Sequence, residues 1–94
     1  MQNVVLMTPG GSEITIGSSR PLAFILGPCV IESRDHALRS AAFLAELGAR
    51  LGVPVIYKSS FDKANRTSAK SFRGTSLEEA LPIFEAIRRE TGLP

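Results

Sequence analysis

Two continuously apolar runs, "LAFILG" at residues 22–27 and "PVIYK" at 54–58, stand on either side of one amphipathic stretch. A strand with one wet face alternates apolar and polar residues, whereas an unbroken apolar run suits a strand covered on both faces. The intervening "SRDHALRSAAFLAELGARLG" places Leu38, Ala41, Ala42 and Ala45 at helical spacing, with Leu44, Leu47 and Leu51 widening the stripe. Ser33 is a credible N-cap and Gly52 a credible stop. Strand, crossover helix and strand make a right-handed βαβ unit, which belongs to a parallel α/β sheet.

The flanks extend this pattern. "NVVLM" and "EITIG", separated by the turn-forming "TPGGS", read as a β-hairpin over residues 3–17. Near the other end, "SLEEALPIFEAIRRETG" opens with a capping box, Ser76 to Glu79, and repeats apolar residues at Leu77, Ala80, Leu81, Phe84 and Ile87. Pro82 fits that helix poorly: its missing N–H and its ring predict a kink, or a regular helix that begins later.

Two strands and two helices cannot cover both faces of a parallel sheet, and a closed (β/α)₈ barrel needs about 250 residues. At 94 residues the chain therefore reads as the first part of a larger domain, with a complete small α/β protein as the alternative. Its composition, 44% apolar and 21% charged, is that of an ordinary globular chain. No run approaches the roughly 18 apolar residues of a membrane span, and "MQNVVLMTPGG" lacks the basic start and long apolar centre of a signal peptide, so the expected location is the cytoplasm. The single cysteine, Cys29, excludes an internal disulfide and leaves its thiol to be a core residue, a nucleophile or a metal ligand.

Charge is concentrated in one place. Between Lys58 and Arg73 five cations, Lys58, Lys63, Arg66, Lys70 and Arg73, face one carboxylate, Asp62, for a local +4 in a chain whose net charge is +2. The rest of the sequence carries −2, which argues against a general nucleic-acid coat and for a pocket that takes a small anion. In parallel α/β folds the active site lies where strands end and helices begin. Two segments reach that face, "GPCVIES" after the first apolar strand and "KSSFDKANRTSAKSFRG" after the second. Arg offers a planar fork of donors, Lys a compact charge, and hydroxyls such as Ser60 and Thr67 fill the remaining acceptor positions of a phosphate. A solvated loop with idle cations is the plainer reading. His36, in the first turn of the helix, reads as an exposed bystander, and Glu32 as a loop acid or the partner of a loop cation.

"GPCVIES" and, above all, "YKSSFDKANRTSAKSFRG" resemble the 3-deoxy-D-manno-octulosonate 8-phosphate (KDO8P) synthases. The likeness runs over essentially the whole chain but covers only the first third of a family member. Within the DAHP/KDO8P synthase family, the sister 3-deoxy-D-arabino-heptulosonate 7-phosphate (DAHP) synthases carry a Lys-Pro-Arg run where this chain has Lys63-Ala64-Asn65-Arg66. The resemblance implies a (β/α)₈ TIM barrel preceded by a β-hairpin, with residues 1–94 as the N-terminal portion of that single domain and the first two β/α units at 22–91. It also implies a cytoplasmic homotetramer.

The implied reaction condenses phosphoenolpyruvate with D-arabinose 5-phosphate and water, for lipopolysaccharide synthesis. Carried over by position, Lys58, Ser60 and Lys63 would bind phosphoenolpyruvate, Asn65 the sugar hydroxyls, and Arg66 with Thr67 the sugar phosphate; Lys63 and Asn65 would be the catalytic pair. Cys29 marks the family's metal-dependent class and points to Fe²⁺, Mn²⁺ or Zn²⁺, the other ligands lying beyond Pro94. A DAHP synthase using erythrose 4-phosphate and an inactive phosphate-binding fragment are the alternatives, and a polypeptide ending at Pro94 is expected to be inactive. Neither nucleic acid nor membrane is an expected partner.

Overall fold

Turn chemistry fixes the first element pair of the computed structural model, which describes residues 2–61 and 76–94. Strands β1 (Val4–Met7) and β2 (Glu13–Ile16) pair antiparallel, with Val4 opposite Ile16 and Met7 opposite Glu13. Between them the Gly11 N–H donates to the Thr8 carbonyl at 3.0 Å and the Thr8 N–H to the Ser12 carbonyl at 2.8 Å. Gly11 holds φ at 90°, a backbone conformation that side chains disfavour, so a glycine closes the hairpin.

Next, β3 (Phe24–Leu26), helix α1 (Arg34–Leu51) and β4 (Val55–Tyr57) form the βαβ unit. The strands are parallel, pairing Phe24 with Val55, Ile25 with Ile56 and Leu26 with Tyr57. α1 starts where the Ser33 side chain accepts the His36 N–H at 3.1 Å, and stops at Gly52, left-handed at φ 69°, whose N–H returns to the Gly48 carbonyl. Helix α2 (Leu77–Thr91) begins with a complete capping box between Ser76 and Glu79 and ends at left-handed Gly92.

Phe24, Leu26 and Val55 line a small space with Leu47 and Gly48, which places α1 over their face of the sheet. Both helices pack on that side. Ile31, Ala37, Ala41, Tyr57, Ala80, Ile83 and Ile87 form the buried core, with Leu38, Leu44, Phe84 and Leu93 against it. Alanines at 37, 41 and 80 let the two helix backbones come close, while the fully buried Ile31 and Ile87 each supply about 1.5–3 kcal/mol of burial. Residues alternate along a strand, so Ile25 and Ile56 occupy the opposite face, where Ile25 is 59% exposed.

Several expectations need correction. The apolar runs at 22–27 and 54–58 contain shorter strands, 24–26 and 55–57; Leu22 lies outside β3 and is 76% exposed. Ala80 and Ile87 are buried as expected, but Leu77 and Leu81 are exposed and Ile83 and Ala86 are buried in their place, because the face that meets Tyr57 is centred one residue further round. α2 also begins at Leu77 despite Pro82. The capping box satisfies the first turn, and both Pro82 and Glu78, whose carbonyl would have taken the missing N–H, are exposed to water.

Candidate active site

The register of β3 and β4 brings the two loops of interest together at the carboxyl ends of the parallel strands. The N–H of Lys58, one residue past the end of β4, donates to the carbonyl of Leu26, the last residue of β3, at 2.9 Å. Beyond it the loops stay joined: the Ser60 N–H donates to the Cys29 carbonyl at 3.3 Å, and the Ile31 N–H to the Ser60 carbonyl at 2.9 Å. Val30 and Ser60 thus make a further parallel bridge outside the strands. A side chain adds a third tie, Ser59 Oγ donating to the Pro28 carbonyl at 2.8 Å.

Gly27 explains how the first loop comes so near. A Cβ there would overlap the Lys58 carbonyl, so only glycine permits the approach. Tyr57 faces the helices, and strand alternation therefore sets Lys58 on the other face with Ile25 and Ile56. Lys58 and Cys29 are both exposed, and Ser60 is half-buried. The three candidate residues within the described segments, Cys29, Lys58 and Ser60, are accordingly brought to one end of the sheet. Lys63, Asn65, Arg66 and Thr67, with the rest of 62–75, lie outside the described residues.

Behind this end, Tyr57 packs edge-on against Phe84, ring centroids 6.3 Å apart. Burial raises the Tyr57 phenol above its ordinary range, with the neighbouring Ser59 side chain acting in the other direction. Among the described residues its hydroxyl has no close hydrogen-bond partner, so the ring serves as packing beneath the loop. His36 departs from expectation. Rather than an exposed bystander it is half-buried, with Nδ1 out of contact with solvent and unpaired among the described residues. It borders a space of about 490 Å³ between α1 and the end of β3, lined by Leu26, Pro28, Phe43 and Leu44 among others.

A metal finds one candidate ligand here. Among the described residues no three of His, Cys, Asp and Glu cluster closely enough to hold an ion, and the thiol of Cys29 alone does not make a centre. Sequence reasoning found Lys58, Ser60 and Cys29 but assigned nothing to Ser59 and Tyr57, and saw Gly27 only as a bend. Adjacent serines in "KSS" carry no signal that separates the one facing the neighbouring loop from the other.

The structure thus shows a parallel βαβ unit whose second strand runs into the basic sequence "KSSFDKANRTSAKSFR". Residues 3–94 match the DAHP synthetase I family, and the chain belongs to that family. Among its curated relatives, the 2-dehydro-3-deoxyphosphooctonate aldolase of Caulobacter vibrioides (strain NA1000 / CB15N) is 53% identical over 91 residues, 97% of this chain and 32% of the relative. Proteins of the same name from Rhodopseudomonas palustris (strain HaA2) and Brucella canis are 57% and 52% identical over 82 residues, 87% of this chain and 29% and 30% of theirs. The chain spans about a third of the length of these relatives. No helix among the described residues is long and apolar enough to cross a membrane.

Proposed function

We propose that these residues are the N-terminal part of a KDO8P synthase, which condenses phosphoenolpyruvate with D-arabinose 5-phosphate and water to give KDO8P and inorganic phosphate. The observation that carries this reading is the origin of "KSSFDKANRT" at the end of β4, tied to the Cys29 loop, in a chain more than half identical to proteins named for that product. In the whole enzyme β3 and β4 are the first two strands of a (β/α)₈ barrel and the hairpin closes its base. Ile25 and Ile56, on the face away from the helices, then become interior residues, which accounts for the unbroken apolar runs.

Two multiply charged anions must lie side by side for carbon 3 of the enol to attack the sugar aldehyde while water adds at carbon 2. Their repulsion is offset by fixed cations. Lys58, Ser60 and Lys63 hold phosphoenolpyruvate, Asn65 orients the sugar hydroxyls, and Arg66 with Thr67 holds the sugar phosphate. Holding both reactants in reacting geometry supplies much of the acceleration. Cys29 contributes one ligand to a divalent ion, Fe²⁺, Mn²⁺ or Zn²⁺, which when bound supplies electrophilic stabilisation. The enzyme works as a homotetramer in the cytoplasm.

The test is an assay of the full-length protein with phosphoenolpyruvate and either arabinose 5-phosphate or erythrose 4-phosphate, measuring phosphate release. Turnover with the five-carbon sugar alone is expected, and Lys63→Ala and Arg66→Ala each abolish or severely reduce it. Preference for erythrose 4-phosphate would make it a DAHP synthase; near-normal kinetics in either variant would remove the assigned anion site. Cys29→Asn is expected to lower bound metal, measured by elemental analysis, and unchanged content would strike Cys29 from the ligand set.

A further inference from the structure

Among the described residues, three hydrogen bonds join the loop after β3 to the loop after β4, and one of them is made by a side chain: Ser59 Oγ to the Pro28 carbonyl at 2.8 Å, part-buried and spanning 31 positions of sequence. The other two, Ser60 N–H to the Cys29 carbonyl and Ile31 N–H to the Ser60 carbonyl, follow directly beyond that contact along both loops. We infer that Ser59 is a positioning residue, a latch that holds the Cys29 loop against the start of the anion-binding loop and so sets Lys58 and Ser60 in place for an anionic substrate.

The geometry gives Ser59 this role and withholds a direct one. Its hydroxyl is engaged with the Pro28 carbonyl, so it is directed at the neighbouring loop. Pro28 has no N–H of its own, and its carbonyl lies immediately before Cys29, the residue whose carbonyl takes the Ser60 N–H. Loss of the hydroxyl therefore loosens a two-rung ladder at its proximal end. The Lys58 N–H to Leu26 carbonyl bond still joins the strand ends below it, so the loss is confined to the loops.

Hydrogen exchange followed by mass spectrometry on the full-length protein reads the latch directly. In Ser59→Ala the amides of Ile31 and Ser60 should exchange about two- to tenfold faster, the range expected for one net hydrogen bond. Amides within α1 should keep their protection. Ser59→Thr, which retains a hydroxyl, should restore protection. Unchanged exchange at Ile31 and Ser60 in Ser59→Ala, or acceleration spread equally over α1, would overturn the latch.

The kinetic consequence rests on the synthase reading: KM for phosphoenolpyruvate should rise several-fold in Ser59→Ala with kcat little changed, and Ser59→Thr should reverse it. A fall in kcat at constant KM would overturn the positioning role. Because the exchange measurement needs no turnover, a protein that lacks synthase activity yet shows the local acceleration would refute the synthase reading and leave the latch standing.

Discussion

Gly27 and Lys58 touch backbone to backbone: the position a Cβ would take on Gly27 is already filled by the Lys58 carbonyl. The contact sits where the strand pair gives way to the loops, beside the Lys58 N–H to Leu26 bond. Neither side can retreat by turning a side chain.

Gly27→Ala is therefore expected to destabilise the fold by about 3 kcal/mol or more, the upper range for forced overpacking. Urea unfolding of the full-length protein should show the midpoint fall. A variant with wild-type stability would mean that the strand ends separate without cost.

A similar contest at Gly48 has a smaller outcome. Within a helix Ala is favoured over Gly by about 1 kcal/mol, but a Cβ at Gly48 would meet Val55 Cγ2 at 2.8 Å and the Val53 carbonyl at 3.1 Å. Val55 is buried and β-branched, so it has little room to rotate. Gly48→Ala should lose about 1–2 kcal/mol net, and adding Val55→Ala should make the second loss smaller than Val55→Ala costs alone. Strict additivity of the two changes in thermal unfolding would contradict the contact.

Tyr57 predicts a pH effect. The folded-state phenol titrates above its ordinary value of 10.0 because of burial. The native state thus holds its proton more tightly than the unfolded chain, and stability present below pH 10 is lost as pH rises from there toward the folded-state value. Tyr57→Phe should remove that part of the alkaline loss and change neutral-pH stability by less than about 1 kcal/mol, since the hydroxyl has no close partner among the described residues. Melting temperatures across this range compare the two proteins. An equally steep decline in Tyr57→Phe would assign it to other groups.

For α2, Ser76→Ala should cost about 1 kcal/mol by removing the N-cap acceptor. Pro82→Ala should act the other way, stabilising by up to about 3 kcal/mol as the Glu78 carbonyl regains a donor. Unfolding midpoints that both fall would show that Pro82 contributes through contacts the helix ladder does not capture.

Legibility in the sequence followed the range of the interactions. Ser33, Gly52, Ser76 and Glu79 announce helix ends because a cap is settled within four residues. The βαβ order was readable for a related reason, since an apolar run and a helical stripe are local patterns. Which face of α2 turns inward was harder: Leu77 and Leu81 are as apolar as Ile83, and only contact with Tyr57 and α1 decides among them. Within the candidate site, Lys58 and Ser60 were visible as charge and hydroxyl. Ser59 was not, because its partner, the Pro28 carbonyl, is a backbone atom 31 positions away and leaves no mark on residue type.

The Tyr57 N–H, on the edge of β4 away from β3, donates to the Pro94 carbonyl at 2.8 Å. β4 has only three residues, so a single occupied donor leaves almost no ladder on that side. Sheet edges are where foreign strands add and aggregates start, and proteins guard them by keeping them short or covered. Here the chain returning from α2 takes the Tyr57 donor, so the neighbour that β4 meets on this side is supplied by its own chain.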